Sequence, residues 1–389
     1  MDNNQNTPND PNPKAVVSGL SGNEMYCAAM LNMAPGNLLI GNSVFSMGVI
    51  GGLRSGIKTT LGGEITTFTD MVAQGRQLAY GRLVTEQQQT GGNGVAGVSS
   101  EIVFHGNNVE FLSVGSALHG GTGNFTTSAD VQELFCQVDS GFVPTSFVFG
   151  NVAYSIGVAG VAMGGLRKIG HGEVHSYSDL FNVTRQRALD RIIDDAKKVQ
   201  ANAVIGIKTT ILPFGRTGVQ EMVMIGTASK HSLVDQIMPG KVITSDLTAE
   251  ETWNVTRMGY MPLELVLGTS VYSLGVIGGL RSIIGEIRHG EVAPLTEIIY
   301  GAREQSISKL KTQAAAVGAD DVLGVKTYIY DLGSDLIELL AIGTAVKKID
   351  GVRTRSDQLP PQAIIRDKQT FVNTAEMHYG FNLNDASAN

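Results

Sequence analysis

Three stretches of this chain carry the same polar and glycine landmarks at the same intervals, and this constrains its fold more than any other feature. In the third stretch, Leu265 to Lys347, Glu291 stands 12 residues before Arg303, Arg303 stands 21 before Gly324, and Glu338 stands 5 before Gly343. Glu173, Arg185, Gly206, Glu221 and Gly226 reproduce these intervals in the second stretch, as do Glu64, Arg76, Gly97, Glu110 and Gly115 in the first. Upstream, Pro35, Pro144 and Pro262 each stand 6 residues before a glycine, namely Gly41, Gly150 and Gly268. Spacing kept three times over marks tandem copies of one structural unit.

The third copy defines the unit. An apolar, glycine-broken segment, Leu265–Leu280, comes first. A helical pattern follows, opened by Thr296 and carried by Ile298, Ile299, Ala302, Leu310 and Ala314 at three- and four-residue steps, with Gly318 as its stop. Two β-rich runs, Val322–Tyr330 and Leu336–Val346, flank a turn of Asp, Gly and Ser residues. A short capped helix precedes each proline, with Ser21 and Glu24, Ser128, and Thr248 and Glu251 as the capping residues. The fold class is therefore α+β: three tandem repeats, each a main helix packed on a small antiparallel sheet, with a short extra helix at its start. A unit of roughly 80 residues lies near the lower limit for a self-sufficient core, so its open sheet edges and faces call for neighbours.

The expected organisation is an N-terminal tail over 1–19, repeats over 20–118, 128–228 and 247–347, and a C-terminal tail over 348–389 that either stays loose or docks as an arm. Residues 119–127, HGGTGNFTT, form a Gly/Thr linker. The second copy carries a longer glycine run, GVAGVAMGGLRK against GVIGGLRS in the others.

The third copy, with Arg303 on its helix, the run Gly318-Ala319-Asp320-Asp321-Val322-Leu323-Gly324-Val325 and the ending Gly343-Thr344-Ala345-Val346, resembles the YbjQ family of small bacterial proteins often labelled heavy-metal-binding. The second copy keeps Arg185, Ala203-Val204-Ile205-Gly206-Ile207 and Gly226-Thr227-Ala228, while the first replaces the last motif with Gly115-Ser116-Ala117. The resemblance implies a dodecin-like unit and assembly into rings, typically pentamers. It implies no established activity.

Charge and composition exclude several classes. A net charge of −7 and the lack of any Lys/Arg cluster argue against nucleic acid as a partner. Charged residues make up 17%, below the usual quarter, as suits a protein with much surface buried between subunits. The apolar run Leu265–Leu280 falls short of the roughly 20 residues a spanning helix needs, so buried strands are preferred to a membrane-associated glycine-rich hairpin. The polar start, Met1-Asp-Asn-Asn-Gln, has no leader pattern, and the expected location is the cytoplasm. Cys27 and Cys136 occupy equivalent positions in different copies and read as small helix residues, not a disulfide.

Two sets of residues could carry chemistry. His171, Glu173, His175, His289 and Glu291 place imidazole beside carboxylate and could bind a divalent metal, although a zinc site wants about four converging ligands and the first copy has no histidine there. The second set is the repeated Glu64 and Arg76, Glu173 and Arg185, Glu291 and Arg303, joined by Arg54, Arg167 and Arg281 after the glycine runs. An arginine on a helix can fork onto a carboxylate across a repeat or subunit boundary. No nucleophile, phosphate loop or acid/base partner recurs with them. The sequence therefore points to a non-enzymatic, self-assembling scaffold whose main partner is itself, with a metal- or ligand-binding oligomer and a membrane-associated assembly as alternatives.

Overall fold

The computed structural model describes residues 15–46, 63–121, 123–155, 172–214, 219–273, 293–333, 336–363 and 371–373. The glycine runs with Arg54, Arg167 and Arg281, and with them His171, His289 and Glu291, lie outside the described residues. So do residues 1–14 and most of the C-terminal tail.

Each copy opens with a short helix, α1 (Gly22–Met30), α3 (Val131–Asp139) and α6 (Ala249–Arg257). Ser21 with Glu24 and Thr248 with Glu251 close capping boxes. In the second copy the cap is Asp130, paired with Glu133, and not Ser128. Ser128 instead turns to the sheet, where its N–H and hydroxyl both reach Thr227 Oγ1 at 3.1 Å.

A long strand follows each short helix: β1 (Met33–Ser46), β7 (Val143–Ser155) and β12 (Tyr260–Ser273). Next come a two-residue strand in the first two copies, β2 (Gly63–Glu64) and β8 (Gly172–Glu173), and then the long helices α2 (Thr66–Thr90), α4 (His175–Lys198) and α7 (Ala293–Ala316). The described part of α7 begins three residues before Thr296, the start the sequence pattern marks. The remaining strands are β3 (Gly94–Ala96), β4 (Glu101–His105) and β5 (Asn108–Gly120) in the first copy, β9 (Ala203–Pro213) and β10 (Val219–Lys230) in the second, and β13 (Asp321–Gly333) and β14 (Leu336–Lys348) in the third.

The sheets exchange edges. The first runs β1-β5-β3 and is extended by β6 (Phe125–Thr126) from the linker, while β4 pairs with β5. The second runs β9-β10-β7, with β2 of the first copy on the free edge of β7 and β11 (Ile243–Thr244) on the other side. The third runs β13-β14-β12, with β8 of the second copy on β12 and β15 (Phe371–Asn373) parallel to β13. A small helix, α5 (Val234–Ile237), lies between β10 and β11.

Two of the repeated glycine positions have physical reasons. A Cβ on Gly41, Gly150 or Gly268 would come within 2.1, 2.2 or 2.4 Å of a carbonyl oxygen on the long helix of the same copy, so helix and strand cross where only hydrogen fits. Gly97, Gly206 and Gly324 have φ of 65°, 69° and 63°, and next to Gly206 and Gly324 the pairing register shifts, the signature of a bulge.

Because side chains alternate along a strand, β7 and β12 each present two apolar faces. One face packs on the helix of its own copy: Val148, Val152, Ala188 and Ile192 share a core. The other face packs on the helix of the preceding copy, as Phe181 of α4 shares that core with Leu265, Leu267 and Val271 of β12. Helices and sheets therefore alternate, each of α2 and α4 lying between its own sheet and the next.

Candidate functional site

The repeat-to-repeat junction holds most of the polar residues that recur in the sequence. Arg76 of α2 does not meet Glu64 of its own copy. It reaches across to Glu221 on β10, Nε donating to Oε1 at 3.1 Å and Nη2 to Oε2 at 2.7 Å, both side chains fully buried. Its remaining nitrogen, Nη1, donates to the Ser100 carbonyl and hydroxyl, each at 2.9 Å.

Arg185 of α4 repeats the arrangement one copy later. It donates from Nε to Glu338 Oε1 at 3.2 Å and from Nη2 to both carboxylate oxygens at 2.9 and 2.8 Å, again with no exposure. Its guanidinium carbon lies 4.3 Å from the Tyr154 ring centre, 5.4 Å from Phe181 and 5.9 Å from Tyr330. Desolvation, the largest single influence, opposes the charge on Arg185, but Glu338 together with Tyr154 and Tyr330 outweighs it and holds the guanidinium above its ordinary range. Burial pushes the Glu338 carboxyl up, against the pull of Arg185. The guanidinium keeps its proton far above any pH at which a carboxyl titrates, and its contact with both oxygens favours the carboxylate form of Glu338.

The carboxylates that precede the helices bridge the same junction in the opposite sense. Glu64, on β2, accepts from Arg187 at 2.8 Å and from Arg191 at 2.5 Å, both on the helix of the second copy. Glu173, on β8, accepts from Lys309 on α7 at 3.2 Å, with His175 Nδ1 at 3.3 Å. Arg191 and Lys309 stand 6 residues after Arg185 and Arg303, as Arg82 does after Arg76. That repeated cation is visible in the sequence as a fixed interval after the helix arginine.

Hydrogen bonds to the strand edges lock the register. Ile65 N–H donates to the Ala153 carbonyl at 2.8 Å and Ala153 N–H donates to Thr69 Oγ1 at 2.9 Å. Val174 and Ser178 make the equivalent pair with Val271, at 2.7 and 2.9 Å. Asn182 adds a two-way bond to the Thr269 backbone, at 3.1 and 2.8 Å. The threonine of the repeated Gly-Thr-Ala motif anchors the lead-in to its own copy: Thr227 accepts from Ser128 N–H, and Thr344 accepts from Asp246 N–H at 3.0 Å.

The short helices form a second line of contact. Cys27 and Cys136, both free and buried, sit with Leu134, Phe135, Ala249 and Trp253 in one core. Burial pushes the Cys27 thiol up to about 11 and Cys136 higher still, so both thiols are protonated at neutral pH. Trp253 Nε1 donates to Asp139 Oδ2 at 2.7 Å, tying the third copy to the second.

Of the five histidine and glutamate candidates for a metal, only Glu173 and His175 lie among the described residues. Glu173 and His175 supply two donors, and the Lys309 ammonium already occupies the carboxylate. Among the described residues, no group of three or more His, Cys, Asp or Glu side chains converges. None of the described helices is long and apolar enough to cross a membrane.

The YbjQ family, described as "Putative heavy-metal-binding", matches this chain three times, over residues 35–119, 143–232 and 251–349. The chain belongs to this family. Each match spans one of the repeated helix-on-sheet units, so the chain is a three-copy YbjQ protein. An encapsulin nanocompartment protein of Mycobacterium tuberculosis is 25% identical over 231 residues, covering 58% of this chain and 86% of the relative. Single-copy relatives include a UPF0145 protein of Limosilactobacillus fermentum, 36% identical over 27% of this chain and 93% of its own length, and one of Lactobacillus gasseri, 31% identical over 28% of this chain and its whole length.

Proposed function

We propose that this YbjQ protein is a non-enzymatic, self-assembling scaffold, a homo-oligomer that closes into a ring or extends into a larger assembly. One observation carries the reading: each internal junction sandwiches a helix between two sheets and buries a complete Arg–Glu pair, so a copy finishes its core only against another copy. The similarity to a protein named for a nanocompartment supports the same reading.

Mass photometry of the purified chain, with negative-stain images, tests it. The expected result is a discrete multiple of 41.2 kDa that persists on dilution. A monomer at every concentration overturns the reading.

A further inference from the structure

The two internal junctions are alike, and the first and third copies each carry one half that no described residue completes. On β1, Leu38, Ile40 and Val44 are 38%, 54% and 59% exposed, whereas their counterparts Phe147, Phe149 and Ala153 on β7, and Leu265, Leu267 and Val271 on β12, are all 9% exposed or less. The preceding copy's helix covers those counterparts, and among the described residues no helix takes that place on β1. Among the described residues, the outer edge of β1 also lacks the two-residue strand that β7 and β12 receive.

Glu110 is the counterpart of Glu221 and Glu338. Where they are fully buried under an arginine, its side chain is 19% exposed and, among the described residues, is held by Asn42 Nδ2 at 2.8 Å and His105 Nε2 at 2.7 Å.

The other half lies on α7. Arg303 is the counterpart of Arg76 and Arg185, yet its Nε is buried with no hydrogen-bond partner among the described residues. Tyr300, the counterpart of the strand-binding Asn182, is 61% exposed. Thr296 is exposed where Thr69 and Ser178 are buried on a strand edge. The short helices show the same asymmetry, since Met25 and Tyr26 on α1 are exposed where Leu134 and Phe135 on α3 are covered.

We propose that these are the two halves of one head-to-tail interface, in which α7 of one copy of this chain docks on the β1 face of the next and Arg303 forks onto the partner's Glu110. The occupant is a second copy because the intermolecular contact continues the internal one: the same helix position, the same strand position and the same pairing of cation with carboxylate. Such a contact joins different surfaces and so generates a ring where the rotation closes and a filament where it does not.

The inference deepens the scaffold reading and rests on it, so the test must separate the two. Mass photometry would compare the wild-type chain with Arg303→Glu, with Glu110→Arg and with the double variant, their folding checked by circular dichroism. Both positions lie beside exposed side chains, Tyr300 next to Arg303 and Val44 next to Glu110. Each single variant is expected to weaken assembly by about a hundredfold or more, because it opposes like charges in a desolvated contact. The double variant, which restores an opposite pair at every junction, is expected to reassemble.

A wild-type monomer overturns both readings. A wild-type assembly that either single variant leaves intact, or that the double variant fails to restore, overturns the head-to-tail interface alone. Sensitivity to Arg303→Glu without sensitivity to Glu110→Arg also overturns it, pointing to a contact between like surfaces.

Discussion

Replacing Glu338 with glutamine removes one charge from a pair that has no water to fall back on. Arg185 is fully buried, and all its donation to Glu338 converges on two carboxylate oxygens at 2.8 to 3.2 Å. Glutamine keeps one acceptor, turns its NH2 toward the guanidinium and leaves that cation without a counter-charge among aromatic rings. Breaking a buried pair from one side costs about 3–5 kcal/mol. The single tryptophan, Trp253, lies in the third copy with Glu338 and reports its unfolding by fluorescence. With an m-value of about 1–3 kcal/mol/M, Glu338→Gln should lower the urea midpoint by about 1 M or more. Arg187→Ala is the control, because that arginine is half exposed and Glu64 keeps Arg191, so a loss of no more than about 1 kcal/mol is expected. The double replacement Arg185→Met with Glu338→Leu should recover much of the loss, since apolar side chains of similar volume replace buried pairs without an orphaned charge. A Glu338→Gln protein that unfolds at the wild-type midpoint would refute the claim that the junction is desolvated.

Three further outcomes follow from particular contacts. Gly150→Ala must push α4 off its strand, because the new Cβ meets the Ala188 carbonyl at 2.2 Å and Ile192 N at 2.5 Å; a loss of about 1–3 kcal/mol or more is expected, while Gly81→Ala, with nothing within 4 Å in mid-helix, should gain up to about 1 kcal/mol in the same urea assay. His231 is buried against Phe142 and accepts from Leu233 N–H through Nδ1, and burial holds its pKa below the usual histidine value. Because the folded value is the lower one, its contribution to stability is present above about pH 6.5 and is lost as pH falls through the folded value; an NMR titration should place that ring below 6.5, and a normal or raised value refutes the account. Calorimetric titration with zinc, copper or nickel should show no heat above buffer, since the Glu173 carboxylate is engaged by Lys309; stoichiometric binding lost in Glu173→Gln would refute that.

Much of the fold was legible because its signals are local. Helical periodicity, turn residues and the capping pairs at Ser21 and Thr248 depend on neighbours within a few residues, and they place strands and helices close to where they lie. The cap of the second copy was misplaced because Ser128 and Asp130 are both good caps two residues apart, and only the sheet contact to Thr227 chooses between them.

The junction was legible in its members and not in its pairing. Glu64 and Arg76 recur together along the sequence, yet each finds its partner in the next copy, and Arg187 has no cationic counterpart in the other copies to draw attention to it. Equal spacing shows that residues share a role without showing which copy supplies the partner.

The sequence by itself determined the number of copies, the order of elements in each and the glycines that let helix touch strand, because close approach and bulges leave their mark at fixed intervals. Only the tertiary structure decided that the copies interleave, lending edge strands and arginines forward and leaving an open sheet face at one end and an unfinished helix face at the other. The physical reason is that burial and desolvation depend on which surfaces meet, a property of the stacked copies that no interval within one copy records.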